Sequence, residues 1–367
     1  MGSPPLMNQR ITTTSRTALL LFVFFSLLFV FIMGCSREVV NSASAQTPQS
    51  TPDGIEVISM LVDFASIDST HAWVTDRSGT ALYHTQTGGS LETTATNFGR
   101  KPLVSFLDAK TGFALAHSDE ELLWHTSDGG RTWQKVMFAQ DDDISHSPLY
   151  QLHFVDAQHG WLVGVFGVWR TEDGGSHWNN TFKTTAYPKV TEIYQGAFSG
   201  TERAVIAASD GIYLTVDGGR SWKLTMKSKG ISVPYLLDEH TGWVWSESFL
   251  RTDDGGNSWR ELYKLNGYIE IRSTQFVNKE EGWATGIEFE ESFRSVVRNP
   301  DSPAWHGVLL HTRNGGKNWE HASAPTDTAF DRVAFSDSKH GWLLGMNRVY
   351  RTSDGGATWT RVLDLPH

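Results

Sequence analysis

The feature that most constrains the fold of this chain is an eight-residue stretch, Thr126–Trp133, which the sequence repeats along its length. The stretch reads Thr-Ser-Asp-Gly-Gly-Arg-Thr-Trp, and further copies end at Trp178, Trp222, Trp259, Trp319 and Trp359. A worn copy at Thr85–Leu91 has lost both the Asp and the Trp, and Asn314 replaces the Asp in the copy that ends at Trp319. Such a repeat decides the architecture, because each copy marks one structural unit.

The residue types of the repeat predict a tight hairpin turn. The Gly-Gly pair adopts positive φ at little cost, and the Asp before it accepts hydrogen bonds from N–H groups of its own turn. The Trp beyond the turn is large enough to fill the gap between neighbouring sheets. We therefore interpret the Asp or Asn and the Trp of the copies as structural residues. They are Asp128, Asp173, Asp217, Asp254, Asn314, Asp354, Trp133, Trp178, Trp222, Trp259, Trp319 and Trp359.

The spacing of the repeat predicts an all-β fold. The Asp or its replacement stands at positions 87, 128, 173, 217, 254, 314 and 354. Four short strands with their turns occupy about 40 residues, which is the size of one propeller blade. A second repeated element, typified by Phe154–Trp161, precedes each turn. The pattern predicts a seven-bladed β-propeller with four-stranded blades, and the motif resembles the Asp-box (S/T-x-D-x-G-x-T/S-W) of sialidases, sortilin-type receptors and related propellers.

The N-terminal residues have the pattern of a bacterial export signal. Arg10 and Arg16 are the only charges before an apolar run, and the run ends in Ile-Met-Gly-Cys35, which resembles a lipobox. We predict a signal peptide over residues 1–34, a lipidated Cys35 opening a flexible tether over 35–54, and the propeller over 55–367. The alternative is an uncleaved membrane anchor, since the apolar run is nearly long enough to span a bilayer. Both interpretations export the propeller, and the first places it on the outer face of the cytoplasmic membrane.

Two stretches interrupt the repeat and are the predicted binding surface. Phe138–Pro148 links blades two and three, and Glu288–Trp305 lies between the second and third strands of blade six. In a propeller these connections emerge on the same face, opposite the Asp-box turns, and long loops on a rigid scaffold often carry function. The alternative is that they are solvated loops without function. The candidate binding residues are Asp141, Asp142, Asp143, Glu288, Glu290, Glu291, Arg294 and Trp305.

The Asp-Gly-Gly-x-Thr-Trp and His-Gly-Trp repeats behind a lipobox most resemble the photosystem II assembly and stability factor family. The resemblance covers residues 55–367 and implies a monomeric extracytoplasmic scaffold that binds a membrane-protein complex through a basic, Arg-lined patch. Arg170, Arg251 and Arg351 recur just before the Asp-box Thr, so we interpret them as structural. The net charge of −10 argues against a nucleic-acid partner.

A glycoside hydrolase or carbohydrate-binding propeller is the alternative function. The resemblance to sialidases implies three arginines, a Tyr nucleophile with its Glu, an acid Asp and an Arg-Ile/Leu-Pro signature. Arg100-Lys101-Pro102 comes closest to that signature but lacks the apolar middle residue. The related xyloglucan-cleaving enzymes use two propellers, and this chain holds one. We predict no catalytic residue, no cofactor and no metal site, because no spacing singles out a carboxylate pair and the recurrent His residues occupy repeat positions.

Overall fold

Each of the repeated turns connects two antiparallel strands in the computed structural model, which describes residues 60–117, 122–136, 144, 147–184, 191–264, 268–289, 305–325 and 329–365. The strands group into seven four-stranded sheets, which we number as blades in chain order. Blade 1 consists of β1 (Leu61–Ser66), β2 (Ala72–Asp76), β3 (Ala81–Thr85) and β4 (Glu92–Ala95). Blade 2 consists of β5 (Arg100–Phe106), β6 (Gly112–His117), β7 (Leu122–Thr126) and β8 (Gln134–Val136).

The remaining blades follow the same plan. Blade 3 consists of β9 (Leu149–Phe154), β10 (Gly160–Gly164), β11 (Gly167–Thr171) and β12 (Asn179–Lys183). Blade 4 consists of β13 (Ile193–Ser199), β14 (Arg203–Ala208), β15 (Gly211–Thr215) and β16 (Lys223–Lys227). Blade 5 consists of β17 (Val233–Leu236), β18 (Gly242–Trp245), β19 (Phe249–Thr252) and β20 (Arg260–Tyr263). Blade 6 consists of β21 (Tyr268–Phe276), β22 (Gly282–Phe289), β23 (Trp305–Thr312) and β24 (Glu320–His321). Blade 7 consists of β25 (Phe330–Phe335), β26 (Gly341–Gly345), β27 (Arg348–Thr352) and β28 (Thr360–Asp364).

The strand order confirms the predicted seven-bladed β-propeller. Within each blade the four strands pair antiparallel in chain order, and the first strands of successive blades contact one another around the axis. The first strand of each blade is therefore the inner one and the fourth is the outer one. In the described part of the chain, no helix is long and apolar enough to cross a membrane.

Ring closure, which the sequence left undecided, joins two complete blades and does not share a sheet between the chain ends. The Leu61 N–H of blade 1 donates to the Met346 carbonyl of blade 7 at 2.8 Å. The Trp342 indole N–H donates to the Asp68 carbonyl at 3.2 Å, and Arg351 Nε donates to the Ser69 carbonyl at 3.0 Å. Side-chain packing and a few hydrogen bonds therefore close the ring.

The Asp-box turn is held by a repeated set of hydrogen bonds. In blade 2 the Thr126 hydroxyl donates to Asp128 at 2.9 Å and accepts the Gly130 N–H at 2.9 Å. Asp128 also accepts the N–H of Thr132 at 2.9 Å and its hydroxyl at 2.6 Å. In blade 7 the equivalent bonds, led by the Thr358 hydroxyl, hold the pKa of Asp354 at about 2, below its ordinary 3.8. The carboxylate is thus ionised to bind its own turn.

The first Gly of each box also ties the turn to the β-turn between the first two strands of the same blade. Its N–H donates to a carbonyl of that turn in all seven blades, including the worn copy of blade 1. The seven pairs are Gly88 with Thr70, Gly129 with Lys110, Gly174 with Gln158, Gly218 with Glu202, Gly255 with His240, Gly315 with Glu280 and Gly355 with Lys339. Gly129 has a φ of 78°, a conformation that disfavours L side chains, so glycine is required there.

Aromatic rings join neighbouring blades. Trp73 of blade 1 stacks on Phe106 of blade 2, with ring centroids 3.7 Å apart and planes 7° from parallel. The box residue Trp133 then meets the same Phe106 edge-on, at 6.0 Å and 82°. The arrangement recurs in the rings Trp243, Phe276 and Trp319, and in Trp283, Phe335 and Trp359. The box Trp thus fills the space between sheets, and its edge-on contact is a favoured geometry for aromatic pairs.

Removal of one box carboxylate should lower stability and leave binding unchanged. Asp173 accepts the His177 N–H at 2.9 Å and a hydrogen bond from the Thr171 hydroxyl at 2.9 Å. We expect Asp173→Ala to lower the free energy of unfolding by about 1–2 kcal/mol, because turn donors lose their acceptor. Asp173→Asn should lower the free energy of unfolding by less, since Asn314 keeps the corresponding hydrogen bonds in blade 6. Chemical denaturation measures the change, and loss of partner binding at an unchanged melting temperature would contradict it.

Candidate functional site

The antiparallel order of the blades divides the connections between two faces of the ring. The turns between first and second strands and the Asp-boxes between third and fourth strands lie on one face, which we call the box face. The connections between second and third strands, and those from one blade to the next, lie on the other, which we call the loop face. The links β8 to β9 and β22 to β23, which contain the two long excursions, therefore both leave from the loop face.

Most of the candidate binding residues lie outside the described residues. These are Asp141, Asp142, Asp143, Glu290, Glu291 and Arg294, and Cys35 is outside them as well. Trp305 is the first residue of β23, and its backbone lies opposite Phe289. Glu288 lies on β22, with its carboxylate 3.2 Å from His306 Nε2 and 3.9 Å from His321 Nε2. The structure thus surrounds Glu288 with two histidines that the sequence pattern did not single out.

A basic cluster on the loop face was missed by the sequence analysis. Arg77 lies between β2 and β3, and Arg100 and Lys101 begin β5 of the next blade. The Lys101 N–H donates to the Arg77 carbonyl at 2.9 Å, which brings the two connections together. Partial burial, and then the charges of Arg77 and Arg100, lower the pKa of Lys101. We call these three residues the blade 1–2 basic cluster.

The backbone at the centre of this cluster is strained. Lys101 has a φ of 52° and is the only non-glycine residue with positive φ among the described residues. It lies in an irregularity of the pairing between Arg100 and Leu103 on β5. Strain of this kind costs about 1–3 kcal/mol per residue and concentrates at functional sites. The sequence signal was the pair Arg100-Lys101, but Arg77 joins it only through the fold.

The arginines that precede the box Thr contact carbonyls and tryptophan rings on the box face. Arg170 is buried, donates to the Gly218 carbonyl of the next blade at 3.0 Å and lies over Trp161 at 5.5 Å. Arg251 and Arg351 lie over their own blades' Trp residues at 5.4 and 5.7 Å. All three arginines also donate to backbone carbonyls of the next blade, and these hydrogen bonds join adjacent blades. In blade 4, where Leu214 stands at this position, Arg203 donates to the Gly255 carbonyl at 2.7 Å instead.

Charged groups on the inner strands pair with one another. Arg332 Nη2 lies 3.4 Å from Asp63 Oδ1, and Arg272 forms an ion pair with Asp331. Asp63 also accepts the Val104 N–H at 2.9 Å, and its burial raises its pKa although Arg332 opposes that shift. The carboxylate therefore links blades 7, 1 and 2. These ion pairs join neighbouring blades, and the Arg332–Asp63 pair lies at the junction that closes the ring.

Two cavities formed by described residues contain no pair of carboxylates. A groove of about 580 Å³ between blades 6 and 7 has Arg361, Tyr350 and Trp359 in its wall, and no carboxylate lines it. A second cavity, of about 330 Å³, contains one carboxylate, that of Asp173, which already binds its own turn. Two-carboxylate glycoside hydrolysis needs a pair flanking the scissile bond. Among the described residues, no group of three His, Cys, Asp or Glu side chains is placed to hold a metal ion.

Seven four-stranded blades with Asp-box turns between their third and fourth strands define the chain as a BNR-repeat β-propeller. The family model described as photosynthesis system II assembly factor YCF48 matches residues 143–237 and 314–367. Over these residues the chain is similar to the photosystem II assembly factor-like family of Asp-box propellers.

Individual relatives match to different extents. The photosystem II assembly lipoprotein Ycf48 of Parasynechococcus marenigrum is 52% identical over 50 residues, which are 13% of this chain and 15% of that protein. The chain thus spans 15% of the length of that relative. The photosystem II stability/assembly factor HCF136 of Arabidopsis thaliana is 24% identical over 294 residues, 65% of this chain and 71% of that protein.

Solved structures share the fold. A structure described as YCF48 bound to D1 peptide has a TM-score of 0.58 and 18% identity, covering 85% of this chain and 99% of that one. The GH74 xyloglucanase of Xanthomonas campestris has a TM-score of 0.60 and 13% identity, covering 83% of this chain and 55% of that one. At these identities the likeness concerns the propeller alone.

The strain at Lys101 gives a direct stability test. Lys101→Ala removes the side chain and keeps a β-carbon at positive φ, whereas Lys101→Gly removes both. We expect the Gly variant to be more stable than the Ala variant by about 1 kcal/mol, because only glycine populates this region freely. Urea denaturation of the two variants measures the difference. A Gly variant less stable than the Ala variant would contradict the positive φ.

Proposed function

We propose that this chain is a non-enzymatic binding protein that holds a protein partner on its loop face during assembly of a membrane-protein complex. The observation that carries the proposal is the blade 1–2 basic cluster, in which a strained backbone brings Lys101 to Arg77 and Arg100. The Asp-box turns contribute to the folded ring, so function is assigned to the opposite face.

The similarity to this family supports a protein partner. The relatives are named as photosystem II assembly proteins, and the similar Ycf48 structure is described as bound to a D1 peptide. The Arg100 guanidinium and the Lys101 ammonium can form charge-assisted hydrogen bonds with carboxylates. Such a cluster favours an acidic segment of a partner and speeds its association electrostatically. The partner proposed for this chain is therefore an acidic segment of a membrane-complex subunit.

Charge reversal of the cluster should abolish this binding. We expect the variant carrying Arg100→Glu and Lys101→Glu to bind a synthetic D1 peptide at least tenfold more weakly than the unmodified chain, measured by fluorescence anisotropy. The matched control carries Lys110→Glu and Lys339→Glu, two exposed residues of box-face turns, and changes net charge by the same amount. It should bind within about twofold of the unmodified chain.

The same experiment has a clear contrary result. Equal losses in both variants would mean that net charge, rather than the cluster, sets the affinity. Unchanged binding in both variants would show that the cluster is not part of the interface. Weaker binding at higher salt is expected in the unmodified chain, because the interacting charges are partly exposed.

The N-terminal pattern supports a proposed location at the outer face of the cytoplasmic membrane. Signal peptidase cleavage before Cys35 and lipidation of its thiol would leave residues 36–54 as the tether to the propeller. We expect Cys35→Ser to release the protein from membranes and to lose incorporation of a labelled fatty acid. Because the chain has a single cysteine, no other thiol can take the label. Retention of the Cys35→Ser protein in washed membranes would favour an uncleaved anchor.

A further inference from the structure

Blade 6 extends beyond its neighbours on the loop face. Its third strand, β23, has eight residues, whereas the equivalent strand of blade 7 has five. The added pairs join Phe289 to Trp305, Glu288 to His306 and Ile287 to Gly307. The first strand, β21, lengthens with them, because Ile269 pairs with Glu288. Three residues of strand amount to about 10 Å of sheet that projects from the ring.

The fourth strand of blade 6 covers only the base of this sheet. β24 has two residues, which pair with Leu310 and His311 of β23, whereas β28 of blade 7 pairs with β27 from Arg348 to Arg351. The last ladder bond runs from the Ala322 N–H to the Leu309 carbonyl at 2.8 Å. Within the described residues, no strand pairs with the outer edge of β23 between residues 305 and 308.

Local chemistry explains why the fourth strand stops. Beyond Ala322 the chain reads Ser-Ala-Pro, and Pro325 has no N–H with which to continue a ladder. The Ser323 carbonyl instead accepts the Trp359 indole N–H of blade 7 at 2.9 Å. This contact draws the segment toward blade 7 and away from the upper part of β23.

The part of this edge that no described strand covers presents regularly spaced backbone groups. The Leu309 carbonyl points outward, since it accepts the Ala322 N–H. Outward groups recur at every second residue of an antiparallel strand, so Gly307 and Trp305 also direct their N–H and C=O groups to this side. Such an edge is a template for strand addition unless something covers it.

We propose that the outer edge of β23 from Trp305 to Leu309 binds an extended, proline-free segment of a partner protein as an added antiparallel strand. The segment carries an acidic residue opposite His306. Two imidazoles, those of His306 and His321, share the single Glu288 carboxylate here, and their side chains are 56% and 59% exposed. A second carboxylate from the incoming strand complements them as a cross-strand pair. Main-chain hydrogen bonds supply most of the affinity in this mode of recognition.

The assignment goes beyond the proposed function, because it uses blade 6 and not the blade 1–2 basic cluster. The probe is a fluorescein-labelled decapeptide of alternating threonine and valine with one central glutamate, and its control has a central proline. We expect the full chain to bind the first peptide and not the second. Gly307→Pro removes one outward N–H at an edge position where proline is tolerated, and it should weaken binding about tenfold. Gly307→Ala retains the N–H and should bind within about twofold.

Amide hydrogen exchange provides a readout that does not depend on a variant. The peptide should slow exchange of the Gly307 amide and leave that of Val308, which points toward β22, unchanged. The proposal is overturned by an absence of binding, or by binding that Gly307→Pro does not weaken. It is also overturned if sedimentation shows a dimer of the unmodified chain that Gly307→Pro dissociates, because a second copy then occupies the edge.

If Gly307→Pro unfolds the blade, the exchange pattern of the unmodified chain decides the outcome, because protection of the Val308 amide in place of the Gly307 amide would overturn the proposal. A failure of strand addition at β23 can be distinguished from a failure of the proposed function. Charge reversal at Arg100 and Lys101 acts on the D1 peptide and should leave binding of the threonine–valine peptide at β23 within about twofold.

Discussion

The structure depends on the first glycine of the Asp-box, whose peptide groups connect elements within and between blades. In blade 2 the Gly129 N–H donates to the Lys110 carbonyl of the same blade at 2.8 Å, and its carbonyl accepts the Trp73 indole N–H of blade 1 at 2.8 Å. The carbonyls of Gly218 and Gly315 accept an arginine and a tryptophan of the preceding blade in the same way. Because each blade contacts only its neighbours, these bonds and the aromatic stacks beside them hold the ring together.

In this arrangement the contacts that stabilise the ring and the candidate binding sites lie on opposite faces. The box face is lined with carboxylates that bind their own turns and arginines that reach carbonyls of adjacent blades. Among the described residues the loop face lacks that repeated pattern, and blades differ there: blade 1 contributes Arg77 to a basic cluster, and blade 6 extends past the ring. A scaffold of this kind tolerates variation on one face while the other maintains the fold.

Blade number and turn chemistry were predictable from the sequence, because the repeat encodes contacts between residues only two to four positions apart, such as Thr126 with Asp128 and Gly130. Ring closure was not predictable, since it joins Leu61 to Met346. The basic cluster required the fold to bring Arg77 to Lys101, and the short β24 required the pairing register in addition to the visible Pro325. Local signals were sufficient for the architecture, whereas the candidate sites arise where one blade departs from the shared pattern.

The most direct test of a binding loop face is crosslinking with mass spectrometry on the native protein in gently solubilised membranes. Both faces carry lysines, so the lysines of one face serve as the internal control for those of the other. Partner crosslinks should form at the loop-face residues Lys101, Lys229 and Lys264. The box-face residues Lys110, Lys279, Lys317 and Lys339 should form none. Crosslinks concentrated at the box-face lysines would contradict the account, because they would place the partner on the surface assigned here to stability.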